Sequence, residues 1–422
     1  MGNILIRHAR IVDPLQKYDA VSDILLSDGV IAQIGNEINA QASIVEAEGL
    51  LACPGIIDIH VHLRDPGQTY KEDIFTGCEA AAAGGVTSLL CMPNTSPTAD
   101  SPEVIRYILE KAEKAKARVY PAAAITKGLE SRELCDYYAL KQAGAVAATD
   151  DGRPVETEEM MEEGMRAAER EGLFVTSHCE VLPLVAGGII NEGSVSKQLG
   201  VKGMPRESEN LATAREIAIA ERAGCAVHIA HVSTKEACEC IREAKKRGVR
   251  VTAETAPHYF TLTEEELLKQ DANYRMNPPL RTGEDRAAIR RAIADGTIDV
   301  IATDHAPHSA ADKADFFHAP NGIVGLETSL ALAHTMLVKT GLVSMGRLIE
   351  MMSSTPARLL HIPGGTLAPG APADLVLFDP QEEWTVRPEE LHSKSKNTPF
   401  GGMALTGRVR ATVCRGELVY QR

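Results

Sequence analysis

"GIIDIHVHLRDPG" (residues 55–67) is an apolar strand that ends on His60 and His62, with Arg64 two residues on. Side chains on a strand alternate between faces, so residues 60 and 62 point the same way, a few ångströms apart. That is the geometry of paired metal ligands. A strand end carrying two solvated histidines has the same local pattern, so the surrounding chain decides between them. Seven further apolar runs match it: "VTSLLCMP" (86–93), "RVYPAAAIT" (118–126), "GAVAATDD" (144–151), "LFVTSHCE" (173–180), "AVHIAHVS" (226–233), "VRVTAETAPHYF" (249–260) and "DVIATDHAPH" (299–308). Amphipathic helical runs fall between them, such as "SPEVIRYILEKAEKAKA", with Ser101 placed as N-cap and Pro102 at the first helical position. Eight strand–helix units predict a TIM-type (β/α)8 barrel.

The barrel is expected over residues 53–365. Residues 1–52 and 366–422 have a different texture: short runs rich in Ile, Val and Leu, broken by turns such as "SDGV" and "AEGL". The two ends are expected to pair as one composite β-sandwich. At 422 residues the chain exceeds the size at which a single compact core stops growing, which agrees with a large barrel plus a smaller unit.

Composition narrows the function. A net charge of −14 argues against nonspecific nucleic-acid binding or docking on anionic membranes, so an anionic ligand must be held by local cations. The nine cysteines are scattered rather than arranged as a dense disulfide framework, which points to reduced thiols and a cytoplasmic setting. "CEC" at Cys238 and Cys240 lies in a helical run with no second pair at zinc-finger spacing. No window reaches the roughly 20 apolar residues of a membrane span.

A barrel of this kind builds its chemistry at the C-terminal ends of its strands. Those ends carry His60, His62, Asn94, Asp151, His178, His231 and Asp304, and four of the chain's 13 histidines fall among them. Imidazole and carboxylate together suit zinc and its neighbours. Six ligands are too many for one open tetrahedral site, whereas two adjacent ions sharing a carboxylate use them naturally and can activate a water. The expected arrangement puts His60 and His62 on one ion, His178 and His231 on the other, Asp151 between them and Asp304 beside the first. Asp304 is also the candidate acid/base. Arg64 is placed to grip a carboxylate bidentately, while Asn94, His308 and Asn277 of "MNPPLR" offer donors to a small polar anion. By alternation His305 faces away from Asp304, and His258 falls in a Pro-containing strand end; both are expected to be structural or to support a ligand from behind, while His8, His228, His318, His334, His361 and His392 are expected to be structural.

"DIHVHLRDPG", "MPNTSP", "TDDG", "SHCE", "AHVS", "NPPLR", "TDHAPH" and "GIVGLET" together resemble the amidohydrolase superfamily, and more narrowly its bacterial type I dihydroorotases, over nearly the whole chain. The resemblance implies reversible cyclisation of N-carbamoyl-L-aspartate to L-dihydroorotate in de novo pyrimidine synthesis. It implies that Arg64, Asn94 and His308 hold the substrate carboxylate, that Asn277 contacts the ring, and that the loop at Pro320, Asn321 and Gly322 closes the pocket. It implies Zn2+, one or two per chain with two favoured. A second copy of the chain and aspartate transcarbamoylase are the macromolecular partners it admits. Hydantoinases, dihydropyrimidinases and allantoinases bridge their metals with a carboxylated lysine from the fourth strand. Here "GAVAATDDG" has none, which leaves Asp151 as the bridge with Asp150 its rival. The competing expectations are another cyclic amidase, such as a hydantoinase, and a noncatalytic scaffold barrel.

Overall fold

The computed structural model describes residues 2–422. Eight parallel strands run in chain order around the barrel: β1 (Ile56–Val61), β2 (Val86–Cys91), β3 (Arg118–Ala123), β4 (Ala147–Ala148), β5 (Phe174–Ser177), β6 (Val227–Ile229), β7 (Val251–Thr255) and β8 (Val300–Ile301). Closure between the last strand and the first comes from a parallel bridge between Val61 and His305, with His62 N donating to His305 O at 2.8 Å. The interior is filled by small and branched side chains, among them Ile57, Ile59, Leu90, Ala122, Ala147, Val300 and Ala302. A larger apolar layer lies between strands and helices.

Several strands are shorter than their apolar runs, and two buried aspartates explain the shortest. After Thr149 N has bonded to Ala123 O, the Asp150 carboxylate takes the backbone N–H groups of Ile125 and Thr126 at 2.7 and 3.0 Å. At β8 the Asp58 carboxylate takes the N–H of Thr303 at 3.2 Å. A side-chain oxygen thus replaces a ladder carbonyl, and pairing ends while the N–H groups of Ile125, Thr126 and Thr303 stay satisfied. The run 249–260 also divides: β7 stops at Thr255, and His258 stands on a short helix, Pro257–Thr261, rather than on a strand end. Pro257 fixes that helix start. The helix Pro102–Ala112 begins where expected, but Ser101 makes no side-chain cap hydrogen bond.

The ladder between β1 and β2 slips between Asp58 and Val61. Ile57 and Ile59 belong to the interior cluster while Val61 packs in the outer layer, so the irregularity changes which side the strand presents just before the mouth.

Both chain ends form one eight-stranded sheet, ordered Glu417–Gln421, Ala404–Cys414, Leu375–Thr385, Leu51–Pro54, Ile4–Asp13, Tyr18–Ser27, Val30–Gly35, with Ser43–Glu46 also against Ile4–Asp13. It closes over Ile6, Ile11, Ile24, Leu26, Ile31, Leu375, Leu377 and Val413 as the expected β-sandwich. Leu51–Pro54 passes into β1 through Gly55, where a Cβ would lie 2.1 Å from Thr87 Oγ1. Only glycine lets the chain cross so close to β2.

Candidate active site

Every strand end singled out in the sequence reaches the same mouth. His60 and His62 leave β1, Asp151 follows β4, His178 follows β5, His231 follows β6 and Asp304 follows β8, all of them buried. Arg64, His231 and Asp304 take positive φ, at 59°, 33° and 49°. Such backbone costs of order 1–3 kcal/mol each in a residue other than glycine and persists where the surroundings enforce it.

Two groups share one carboxylate. His60, His62 and Asp151 offer ligand atoms within 4.8 Å of one another, and so do Asp151, His178 and His231. His60 Nε2 lies 3.3 Å from Asp151 Oδ1, and His62 Nε2 lies 3.5 Å from Asp151 Oδ2. From the other side His178 Nδ1 approaches Asp151 Oδ1 at 3.7 Å and His231 Nε2 at 4.0 Å. Asp304 Oδ1 stands 3.2 Å from His62 Nε2 and 3.7 Å from His60 Nε2, beside the first group. Asp150, by contrast, is turned onto the Ile125, Thr126 hairpin and does not face these histidines.

The histidines are held by partners that sequence reasoning passed over. His60 Nδ1 donates to Glu254 Oε1 at 2.7 Å, and the same carboxylate accepts from His228 Nε2 at 3.2 Å. His178 Nε2 donates to Glu180 Oε2 at 3.2 Å, and Glu180 Oε1 accepts from Asn277 Nδ2 at 3.0 Å. His62 Nδ1 donates to Asn94 Oδ1 at 2.9 Å, while Asn94 Nδ2 donates to Asp151 Oδ2 at 3.2 Å. Each oxygen can only accept, so these bonds fix the outer nitrogens as donors; the inner nitrogens turn toward one another and toward Asp304, with His178 Nδ1 2.8 Å from His231 Nε2 and His62 Nε2 3.2 Å from Asp304 Oδ1. Glu254 sits inside a buried strand, where a glutamate unmatched by a cation was the one available signal; Glu180 was quoted within "SHCE" and given no role.

Electrostatics separates the neighbouring aspartates. Burial pushes the Asp150 carboxyl up to about 6. Burial acts on Asp151 in the same sense, but the neighbouring imidazoles of His60, His62 and His178 outweigh it and hold Asp151 well below the usual range. For Asp304 too, the hydrogen bond from His62 and the adjacent imidazoles overcome burial and bring the carboxyl down to about 2. Burial with His178 and His60 alongside pushes His231 down to about 3, so it is a neutral donor of its lone pair. Asp151, Asp304 and Glu254 concentrate anionic charge around buried His60 Nε2, which has no hydrogen-bond partner among the described residues. Imidazole nitrogen converging with carboxylate oxygen among buried residues is the donor set of a divalent metal.

The residues expected to bind substrate line the same opening. Arg64 Nη2 lies 3.3 Å from His308 Nε2, and Arg64 Nε donates to Pro307 O at 3.2 Å. Burial pushes the Arg64 guanidinium down to about 10, and among the described residues no carboxylate lies within ion-pair distance of it. His308 Nε2 meets Asn321 O at 2.8 Å, and Lys313 Nζ donates to Pro320 O at 2.8 Å. Asn94 differs from expectation: both ends of its amide are engaged with His62 and Asp151. His305 faces away from the site, its Nδ1 accepting from Gly325 N at 3.1 Å, as alternation predicts.

The amidohydrolase family model matches residues 51–419. The chain is 50% identical over 423 residues to the dihydroorotase of Citrifermentans bemidjiense, covering 99% of this chain and 100% of that one. It is 48% identical over 424 residues to the dihydroorotase of Geobacter metallireducens, with both chains fully covered. Among solved structures it is similar to the L-hydantoinase (dihydropyrimidinase) of Arthrobacter aurescens, with a TM-score of 0.90 and 26% identity over 100% of this chain and 96% of that one.

Proposed function

The chain belongs to the amidohydrolase family, and from that premise we infer that it is a dihydroorotase, interconverting N-carbamoyl-L-aspartate and L-dihydroorotate in pyrimidine biosynthesis. The observation that carries this over the other cyclic amidases is Arg64: a buried cation at the mouth with no carboxylate among the described residues within ion-pair distance. A carboxylate-bearing substrate supplies that anion; hydantoins and dihydropyrimidines do not. The likeness to solved hydantoinase structures favours a hydantoinase. Against it stands β4, which offers Asp151 where those enzymes carry a lysine.

We assign His60 and His62 to one zinc ion, His178 and His231 to a second, Asp151 to both and Asp304 to the first. Zinc bound there supplies a Lewis acid for the carbonyl and lowers the pKa of a water to near neutrality. The protein's own groups do the rest. Arg64 and His308 grip the substrate carboxylate, with Asn94 at the edge of that contact, and Asn277 meets the ring. Asp304, ionised, accepts the proton of the attacking water. As the bond between the ring nitrogen and its carbonyl breaks, Asp304 returns that proton to the nitrogen, which becomes the carbamoyl amine while the carbonyl becomes the new carboxylate. Ring closure runs the same path backward from protonated Asp304. Residues 309–322, with Pro320, Asn321 and Gly322, cover the substrate.

The reading extends to a two-part chain divided near residues 52 and 366, a cytoplasmic setting, and a homodimer or association with aspartate transcarbamoylase. All nine cysteines are free, and no helix among the described residues is long and apolar enough to cross a membrane. The test is an absorbance assay of dihydroorotate hydrolysis beside hydantoin and dihydrouracil, with and without chelator. Chelator-sensitive turnover of dihydroorotate is expected; activity confined to the uncharged rings hands the site to the hydantoinase reading.

A further inference from the structure

Residues 392–398 follow the strand Leu375–Thr385 and yet lie at the catalytic mouth. His392 N and Ser393 N donate to the Glu327 carboxylate at 2.7 and 3.0 Å. Ser393 Oγ and Lys394 N bond to Glu72, Lys394 Nζ to Thr69 O at 2.7 Å, and Ser395 Oγ to Lys71 O at 2.6 Å. The stretch is thereby tied to the loop that follows Arg64. Its next polar side chain reaches the opposite bank. Asn397 Nδ2 donates to Ala306 O at 3.2 Å and to Gly322 O at 3.1 Å, and Asn397 Oδ1 accepts from His308 N at 3.1 Å. Its backbone O accepts from Val324 N at 2.9 Å.

Residues 306 and 308 enter the covering loop, and 322 and 324 leave it, so one buried amide closes the neck of that loop. Both amide hydrogens and the carbonyl oxygen are used, which fixes the orientation of the group. Aspartate lacks the two donors and would set an anion against two carbonyls; alanine would leave those carbonyls and the His308 N–H unpaired. The neck is tight: at Gly322, with φ +133°, a Cβ would meet Ala306 Cβ at 2.7 Å and Ala306 O at 2.8 Å.

We propose that Asn397 is a positioning residue for the substrate-carboxylate contacts: it clamps both ends of residues 309–322 and sets the backbone from which His308 faces Arg64. It touches no substrate and acts through His308 and Asn321. The inference rests on the dihydroorotase reading of this mouth. A displacement of about 1 Å in such a contact suffices to cost binding.

The test pairs Asn397→Ala and Asn397→Asp with N-carbamoyl-L-aspartate kinetics, zinc content and hydrogen exchange. The expected result is a KM raised about tenfold or more, kcat within about threefold, and unchanged zinc, since the aspartate loses the two donated bonds at the neck, the alanine loses all three, and neither loses any at the ligands. A wild-type KM, whatever the change in melting temperature, overturns the proposal. In the wild-type protein, N-carbamoyl-L-aspartate should slow exchange in 309–322 and in 393–400 together; protection of the first segment alone overturns it even if the variants do not fold. Wild-type protein that neither binds nor turns over this substrate refutes the dihydroorotase reading instead. The clamp is then decided without ligand: 309–322 must exchange faster in Asn397→Ala than in wild type, and equal rates overturn it.

Discussion

The two mouths of the barrel are built on opposite terms. At the C-terminal end the ionisable groups are buried, shared among several partners and carried on strained backbone: Asp151 answers to His60, His62 and His178 at once. At the N-terminal end a hollow of about 430 Å3 opens among Phe174, Val227, Val251 and Leu359, and its charged lining includes the exposed ion pair of Arg250 with Glu169 at 2.6 Å. A surface pair of that kind contributes about 0–1 kcal/mol. Buried, shared charges are costly to assemble and break badly when one member is removed. Chemistry is therefore to be sought where the charges are expensive, even though a sizeable hollow lies at the other end.

Substitutions at the two mouths sharpen this contrast. The largest effect is expected for Asp304→Ala, which should lower kcat by about a thousandfold in both directions while zinc analysis still finds metal; near-normal turnover would falsify the acid/base role. Arg64→Met should raise KM for N-carbamoyl-L-aspartate by about a hundredfold, in line with about 2–5 kcal/mol for losing one partner of a buried charge pair; an unchanged KM removes Arg64 from the substrate site. Glu254→Gln, which replaces the acceptor that orients His60, should weaken zinc binding by about 10- to 100-fold in a chelator competition. Varying the pH asks for less. If Asp304 is the acid/base, hydrolysis needs it ionised and closure needs it protonated; with its carboxyl at about 2 in the folded chain, raising the pH across the neutral range should lower closure by about tenfold per unit while hydrolysis stays flat. Forward and reverse rates that move together with pH contradict that assignment. The smallest effect belongs to the far mouth: Arg250→Ala should leave kcat/KM within about twofold and stability within about 1 kcal/mol by thermal melting.

How much of this was legible follows from the range of each interaction. His60 and His62 were readable because alternation along a strand is local, and the ends of the other strands were readable because apolar runs stop abruptly. The eight-unit count gave the barrel and the textures of the two ends gave the second sheet. Strand lengths were not readable: β4 stops as Asp150, just past it, turns its carboxylate onto the chain leaving β3, and β8 stops where Asp58 of β1 takes the N–H of Thr303. Glu254 and Asn397 were hard to place for a related reason, since His60 and Glu254 are 194 positions apart and Asn397 is 89 from His308, whereas Glu180 stands two residues from His178 and was simply passed over. The helix at His258 was misjudged because Pro257 extends an apolar run in the sequence while starting a helix in space.

The closing bridge from Val61 to His305 and the clamp at Asn397 have a consequence for biosynthesis. A chain leaving the ribosome has its first two ligands early, yet Asp304 arrives only after nearly three quarters of the 422 residues, and Asn397 just before the end. Partial products can hold histidines in the right register and still be unable to process substrate. On the proposed roles of Asp304 and Asn397, catalytic competence is gained late, and a nascent chain or a C-terminal truncation ending ahead of residue 397 should be a poor enzyme however well its first strands have folded.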